Sequence, residues 1–554
     1  MRLAGWLVVL PPLVLGLVPV AMLLAGSFRD APPGAAGHWT LANYAAVFSN
    51  PRLVRVVLNT AWVALVATTL ALFAGSAMAW LVARTDIPGR RMLETLAIVP
   101  FLAPAIVTAI GWGILANPDN GLLNTAWRAL THSSSSPLNV YSYLGVAIVL
   151  AFPASGFTYL MMLGPMRNLN SSFDEAARLS GAGPLRTFRS IQLPMLWPAL
   201  APIAVLAFLR AFEAFEVPII LGTPAGVLIL INYVYELLKI DTPPKYGLAL
   251  ALSIIVGGIA ISTIALQARE ADLYSTVSVG GKGNQGPKIR LGIWAGPALV
   301  LIWGYLTAAA FLPLGTIAVT AFMHFAGVFS LSALTLDNFA AIFRDAVTLR
   351  AIGNTLLLVV VCSTIAALLG ALVAYVLQTK RLPLGWLIQA AILVPWSLPG
   401  LIFGLAALWT YIYIPGAYGT LGALIVAYVT IGVPIAMRSV MSVLRALGSE
   451  LEESARVHGA GLATTLWRVV APLALPGIIG AWFTLAAIFS RELSVTVMIY
   501  GFGSETVSVQ LLSFWNQGQG TYVAALSVMM VLFLFGLYAL QQAVVRRYRI
   551  GLQP

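Results

Sequence analysis

Runs of apolar residues long enough to cross a lipid bilayer recur along the whole of this 554-residue chain. Each crossing needs about 20 mostly apolar residues in helical form, because lipid offers no hydrogen-bond partner to an unpaired backbone group. Hydrophobic residues make up 60% of the chain and charged residues only 9%, which excludes a soluble globular protein. We therefore predict an all-α polytopic membrane protein.

The apolar runs predict about twelve transmembrane helices. They lie near residues 7–26, 57–83, 93–115, 143–164, 196–222, 246–267, 291–322, 353–377, 386–412, 420–441, 475–500 and 522–543. The first run could also be read as a signal peptide, since Arg2 precedes it and small residues surround Ala25. The second half opens with a comparable run, so we expect an uncleaved helix.

Lysine and arginine are distributed unevenly between the two sets of predicted loops. With the N-terminus in the cytoplasm, 21 of the 31 basic residues lie on that side, 8 lie outside, and Arg210 and Arg491 fall within spans. Positive residues favour the cytoplasmic side, so we predict that both termini are cytoplasmic. The net charge of +12 is spread over short loops rather than gathered in a patch, which argues against nucleic-acid binding.

The chain lacks the residue patterns of an enzyme or a metalloprotein. The single Cys362 lies inside an apolar run, and the four histidines are scattered. The sequence GGKGN at 280–284 has neither the spacing nor the Ser or Thr of a nucleotide-binding P-loop. We therefore expect no bound cofactor, no metal site and no ATP hydrolysis by this chain.

The most polar stretch within the apolar sequence occurs twice. DEAARLSGAGPLRTFRSIQLP starts at Asp174, and EESARVHGAGLATTLWRVVAP starts 278 positions later at Glu452. Capping-box patterns at Ser172 and Ser449 favour a helix start, and the glycines favour a helix end. We predict two helical hairpins, at 171–195 and 449–473. An ordinary interhelical loop explains one such stretch, but not two with matched glycines.

The repeat extends beyond the hairpins. Asn59-Thr60 matches Asn354-Thr355, and Pro104 matches Pro399, at an offset of 295. The organisation predicted is a first repeat at 1–267, a polar, glycine-containing cytoplasmic linker at 268–290 and a second repeat at 291–554. Six spans in each half give both halves the same orientation, so the repeats are parallel.

Ionisable residues inside predicted spans are the candidates for a solute pathway, because burying them in lipid is costly. Arg210, Glu213 and Glu216 are spaced three apart, which predicts one helix face. Arg491 and Glu492 lie in the corresponding span of the second half. The alternatives are that these residues form structural ion pairs between packed helices, or that they lie near an external end of the spans.

The doubled hairpin resembles the EAA motif of ABC-importer permeases. The first copy matches it through Glu175, Ala176, Ala177, Gly181, Ile191, Leu193 and Pro194. The second copy departs from it through Ser454, Val469 and Ala471. The resemblance implies the type I permease fold and assigns coupling to a partner ATPase to the following residues: Glu175, Ala176, Ala177, Gly181, Gly183, Pro194, Glu453, Ala455, Gly459, Gly461 and Pro472.

The same resemblance implies partners and a location. Two copies of a cytoplasmic ABC ATPase would bind the hairpins and hydrolyse ATP, and a periplasmic or extracellular binding protein would deliver solute across the bacterial inner membrane. The fused layout is most similar to iron(III) permeases, with thiamine, polyamine and phosphonate permeases as alternatives. An ion-coupled secondary transporter using Glu213, Glu216 and Glu492 is the alternative from another class, and a membrane enzyme lacks a catalytic constellation.

Overall fold

The computed structural model describes residues 2–169, 172–275, 289–327, 334–378, 382–447, 454–455 and 457–550. Within these ranges the chain is helical, and its only β pairing consists of isolated bridges. The all-α fold predicted from the sequence is thereby confirmed.

The α-helices of the first half are Arg2–Ser27, Ala42–Ser49, Pro51–Arg84, Arg90–Leu96, Val99–Leu102, Ala105–Leu115, Leu122–Thr131, Tyr143–Asn168, Ser172–Leu179, Pro184–Thr187, Leu193–Phe212, Leu230–Lys239 and Tyr246–Ser275. Those of the second half are Ala295–Leu306, Leu312–Ala321, Asp337–Arg344, Ala346–Gln378, Gly385–Ser397, Gly400–Tyr411, Leu421–Leu447, Leu462–Thr465, Ala471–Phe489, Thr496–Ile499, Val507–Asn516 and Gly520–Ile550. Wider π turns occupy Phe188–Gln192, Pro218–Gly222, Thr307–Phe311 and Leu466–Val470.

Ten helices in the described residues are long and apolar enough to cross a membrane, and three further helix pairs qualify only as bent spans. Two of the bent pairs coincide with predicted spans, at 93–115 and 386–412. Their halves meet at 92° and 100°. An apolar segment is thus present at both predicted places, but each is divided into two helices.

Proline explains both bends. Ala103 and Leu398 have extended backbones, and each is followed by a proline, Pro104 or Pro399, that begins the next helix. The proline ring disfavours the helical region for the residue before it. The matched prolines of the repeat thus mark matched breaks.

The predicted spans 196–222 and 475–500 also needed correction. The helices there end at Phe212 and Phe489, and the chain then turns. In the first half, Pro218–Ala225 and Leu230–Lys239 follow as the third bent pair, at 76°. Apolar composition continued through these turns, so hydropathy alone did not reveal them.

Two compact units make up the chain. One comprises Met1–Ser49, Tyr235–Ile261 and Leu336–Pro554, and the other comprises Asn50–Val234 and Ser262–Thr335. The first unit therefore combines most of the second half of the sequence with two segments of the first half, and the second unit combines the middle of the first half with the start of the second half. The repeat boundaries at 267 and 291 stay a prediction about sequence organisation.

Glycine permits this exchange of helices within each unit. In the first unit, a Cβ on Gly16 would lie 2.6 Å from the Pro395 ring, and one on Gly26 would lie 2.6 Å from the Trp409 ring. In the second unit, a Cβ on Gly111 would lie 2.6 Å from the carbonyl oxygen of Pro313. The exchanged helix thus approaches both segments of the bent span in the first unit and the second segment in the second unit.

The predicted linker is partly helical. The helix Tyr246–Ser275 continues through the first eight of its residues, and 276–288 lie outside the described part of the chain. At the far end, the N–H of Ile289 donates to the carbonyl of Arg84, and the N–H of Asp86 donates to that of Ile289. The end of the linker is thereby fixed beside the helix Pro51–Arg84.

Candidate functional site

The two hairpins share one turn geometry. Gly181 and Gly459 have φ angles of +74° and +81°, a left-handed conformation that favours glycine. Across this turn the N–H of Ala182 donates to the carbonyl of Ala177 at 2.9 Å. The N–H of Ala460 donates to the carbonyl of Ala455 at 3.0 Å. Such six-to-one bonds define a Schellman helix end, as the glycine pattern predicted.

The chain leaves both turns in the same way. The backbone N–H and hydroxyl of Thr187 donate to the carbonyl of Gly183, and those of Thr465 donate to the carbonyl of Gly461. Both threonine side chains are buried. These bonds start a short helix, which continues through a π turn into the adjacent apolar helix.

Both π turns immediately precede a proline at the start of a long helix. The N–H of Leu193 donates to the carbonyl of Phe188, and the N–H of Ala471 donates to that of Leu466. Pro194 or Pro472 comes next. A proline ring collides with the carbonyl four residues back in a regular α-helix, and the wider turn moves that carbonyl away. Each hairpin is therefore joined to its helix without a flexible break.

The hairpins expose large apolar side chains at equivalent positions. Leu179 is 90% exposed and Val457, 278 positions later, is 84% exposed. Trp467 on the second hairpin is 74% exposed. Leu179 and Val457 lie on short, turn-rich segments, whereas Trp467 lies at the start of the apolar span Leu466–Phe489. The side chains of Leu179 and Val457 are therefore both accessible for contact with another molecule.

The remaining predicted coupling residues take different positions. Ala177 is buried, Ala176 is exposed and Ala455 is half-buried. A Cβ on Gly183 or Gly461 would meet nothing within 4 Å, so neither glycine is required by crowding. The side chain of Glu175 and the whole of Glu453 lie outside the described part of the structure.

The predicted face formed by Arg210, Glu213 and Glu216 is not continuous. The helix ends at Phe212, so Glu213 caps it and Glu216 lies beyond the break. The guanidinium of Arg210 binds Glu213 Oε1 at 2.8 Å; Arg210 is 58% exposed and Glu213 17% exposed. The helical spacing was misleading because the helix stops within the motif.

In the second half, Arg491 and Glu492 also follow the end of a helix, Ala471–Phe489. Glu492 Oε1 accepts the N–H of Val495 at 2.8 Å, and so supports the start of the next turn. This contact gives Glu492 a structural role alongside any role in transport. Among the described residues, no group of three or more His, Cys, Asp or Glu side chains could hold a metal ion.

A polar cluster near the start of the helix Ala346–Gln378 was not singled out by the sequence. Arg350 Nε binds Glu505 Oε2 at 3.2 Å, and Asn354 Nδ2 donates to the carbonyls of Gly503 and Glu505. Burial alone would raise the pKa of Glu505, but the N–H of Gly503 and the Arg350 guanidinium stabilise the carboxylate and hold its pKa below the ordinary value. The sequence signal that could have revealed this cluster is the match of Asn354 with Asn59 in the repeat.

These helices define a multi-pass α-helical membrane protein with two equivalent hairpins. The chain belongs to the family of binding-protein-dependent transport system inner membrane components, whose sequence profile matches residues 67–269 and 366–550. The double match confirms two permease repeats in one chain and the resemblance stated from the EAA motifs.

Individual relatives are distant. The chain is 23% identical to the ferric transport system permease protein FbpB of Actinobacillus pleuropneumoniae over 449 residues, covering 79% of this chain and 64% of the relative. It is 23% identical to the probable ABC transporter permease protein y4fN of Sinorhizobium fredii over 484 residues, covering 83% of this chain and 81% of the relative. It is 30% identical to the sulfate transport system permease protein CysT of Salmonella typhimurium over 174 residues, covering 31% of this chain and 61% of the relative.

Proposed function

We propose that this chain, with its two permease repeats, is a permease subunit of an ATP-driven importer, and that two cytoplasmic ATPase subunits bind its paired hairpins. The single observation that carries this proposal is the equivalence of Leu179 and Val457. Both are exposed apolar residues two positions before a left-handed glycine, on hairpins with the same hydrogen bonds. Two equal surfaces suit two copies of one partner.

The connection between hairpin and helix suggests how ATP would drive transport. Closure of the ATPase pair would move both hairpins together. Because each hairpin continues through a π turn into Leu193–Phe212 or Ala471–Phe489, that motion would reach the long helices and change which side of the membrane the solute can enter from. ATP would be bound and hydrolysed on the partner, and this chain would transmit the motion.

Iron(III) is the solute we favour. The match to the ferric permease extends over 79% of this chain and so through both repeats, whereas the match to the sulfate permease covers 31%. Thiamine, polyamine and phosphonate importers remain alternatives with the same machinery. A binding protein on the outer face would deliver the solute, and the bias of basic residues supports cytoplasmic termini in a bacterial inner membrane.

The partner interface can be tested by co-purification from mild detergent. We expect the tagged chain to retain a stoichiometric ATPase, and expect Leu179→Asp combined with Val457→Asp to lose it, because charge would be buried in the interface. Leu130→Asp is the matched control, since Leu130 is 82% exposed and lies on the short helix Leu122–Thr131, outside both hairpins. Retention of the ATPase by the double variant would contradict the proposed interface.

A further inference from the structure

A cleft of about 760 Å³ lies at one end of the bent span in the unit Asn50–Val234. The residues that line it are Ile87, Gly89, Arg90, Arg91, Met92 and Glu94. This cleft is separate from the hairpins and is not used by the proposed transport cycle. The cleft places two arginines beside an apolar side chain, that of Met92. Met92 is about half exposed and is therefore accessible to a ligand in the cleft.

The electrostatic balance of the cleft is positive. Glu94 is its only described lining carboxylate, and Oε1 of Glu94 binds Arg167 Nη2 at 2.5 Å. The negative charge of Glu94 is therefore offset by Arg167, which leaves the charges of Arg90 and Arg91. In addition, the Nε atom of Arg90 is buried and has no hydrogen-bond partner among the described residues. A buried donor of this kind is stabilised by an incoming oxygen acceptor.

The cleft also lies at the boundary between apolar and polar parts of the chain. Arg90 begins the bent span Arg90–Leu102, and Arg167 lies one residue before the end of the long apolar helix Tyr143–Asn168. The headgroups of a bilayer are found where such helices end. With both termini cytoplasmic, as proposed above, this boundary faces the inner leaflet, whose anionic lipids attract arginines next to membrane spans.

The second half contains an equivalent cleft with different chemistry. At the repeat offset of 295, Gly385, Trp386 and Gln389 replace Arg90, Arg91 and Glu94, and all three line a cleft of about 350 Å³. Arg445 replaces Arg167 at the offset of 278 and also lines it. The repeat has thus kept the cleft in both halves and placed the arginine pair in one.

We propose that the cleft at Arg90 and Arg91 binds the phosphate group of an anionic phospholipid. The arginines bind the phosphate oxygens, and the exposed side chain of Met92 contacts the start of the acyl region. Glu94, held by Arg167, limits the site to one anionic headgroup. The site makes the first repeat more sensitive to membrane composition than the second, whose cleft is lined by a single arginine, Arg445.

The test titrates phosphatidylglycerol or phosphatidylcholine onto the full-length chain in detergent and counts bound lipid by native mass spectrometry. Arg90→Ala combined with Arg91→Ala removes the arginine pair. We expect phosphatidylglycerol to bind about thirtyfold more weakly to this variant, and phosphatidylcholine binding to stay the same. Arg546→Ala with Arg547→Ala is the matched control, since it removes the same charge from the last helix and should leave the affinity unchanged.

A gain-of-function variant tests the proposal while leaving Arg90 and Arg91 in place. Gly385→Arg with Trp386→Arg transfers the arginine pair to the second cleft, and a Cβ on Gly385 would meet only a Leu377 methyl carbon at 3.8 Å. We expect this variant to bind one further phosphatidylglycerol. Equal affinity of the wild type and the Arg90/Arg91 variant for phosphatidylglycerol would overturn the proposal. Arginine-dependent binding of inorganic phosphate without any difference for the lipid would also overturn it, in favour of a soluble anion.

Discussion

The N–H of Ala182 donates to the carbonyl of Ala177 at 2.9 Å, closing the helix end across Gly181 in the first hairpin. The same bond recurs between Ala460 and Ala455. Two segments 278 positions apart thus share a turn in which one glycine sets the angle between two short helices. Because both hairpins carry an exposed apolar residue just before that glycine, the turn also fixes the direction of the proposed interface.

The left-handed glycines give the first prediction. Gly181→Val with Gly459→Val forces a β-branched residue into a positive φ angle, at a cost of about 1–3 kcal/mol for each turn. We expect ATP-driven uptake to be lost while membrane insertion is retained. Gly181→Asn with Gly459→Asn is the matched control, since asparagine tolerates this conformation, and it should keep most uptake. Normal uptake by the valine variant would show that the turn geometry does not couple the partners.

A second prediction concerns a buried threonine that each repeat uses in the same way. The hydroxyl of Thr60 accepts the N–H of Leu230 at 2.8 Å, and that of Thr355 accepts the N–H of Val507 at 2.9 Å. Replacement by valine leaves a buried amide without its partner, which costs about 1–3 kcal/mol. We expect Thr60→Val and Thr355→Val each to lower the Tm in detergent. Thr69→Val should not, because Thr69 is exposed and donates only to the carbonyl of Leu65 in its own helix.

The carboxylate of Glu505 gives a pH-dependent prediction. Its pKa lies below the ordinary value, so its contribution to stability is present above the unfolded-state pKa and is lost as the pH falls through the folded-state pKa. Glu505→Gln should therefore lower stability by about 1–2 kcal/mol at neutral pH, and the difference from the wild type should shrink as the solution is acidified towards pH 4 and below.

Thermal unfolding in detergent across this pH range provides the measurement. Asp119→Asn is the control, since it makes the same change from acid to amide at an exposed side chain, and it should lower stability much less at neutral pH. A Glu505→Gln difference that stays constant on acidification would contradict the stabilised carboxylate.

The ionisable residues after Phe212 give the fourth prediction. If Glu213 and Glu216 line the solute pathway, Glu213→Gln and Glu216→Gln should each reduce uptake while the ATPase remains bound. If Glu213 serves only to pair with Arg210, Glu213→Gln should instead lower the Tm and leave the uptake per folded molecule unchanged. Uptake normalised to folded protein therefore separates the two roles.

Much of the architecture could be predicted because bilayer crossing imposes long apolar helices, and the repeat revealed the hairpins. The bends at Pro104 and Pro399 could not be placed with certainty, since proline is tolerated within some membrane helices and breaks others. The end of the helix at Phe212 was missed for a related reason. Apolar residues continue past Glu213, so the hydropathy signal does not change where the backbone turns.

The exchange of helices between the halves was also beyond a sequence argument. The repeat equates Arg2–Ser27 with the helix that opens the second half, but it does not say which bent span each one contacts. That choice depends on close approaches such as Gly16 to Pro395 and Gly111 to Pro313. The contact between each helix and its bent span therefore depends on single glycines and prolines. The residues that they contact lie hundreds of positions away in the sequence.

The most direct test of the central claim is solute uptake into proteoliposomes that contain this chain, with and without its co-purified ATPase. We expect accumulation of iron(III) supplied on its binding protein only when the ATPase and enclosed ATP are both present. The Leu179→Asp with Val457→Asp variant should abolish that accumulation. Uptake by the chain alone, driven by an ion gradient without ATP, would contradict the importer and identify a secondary transporter.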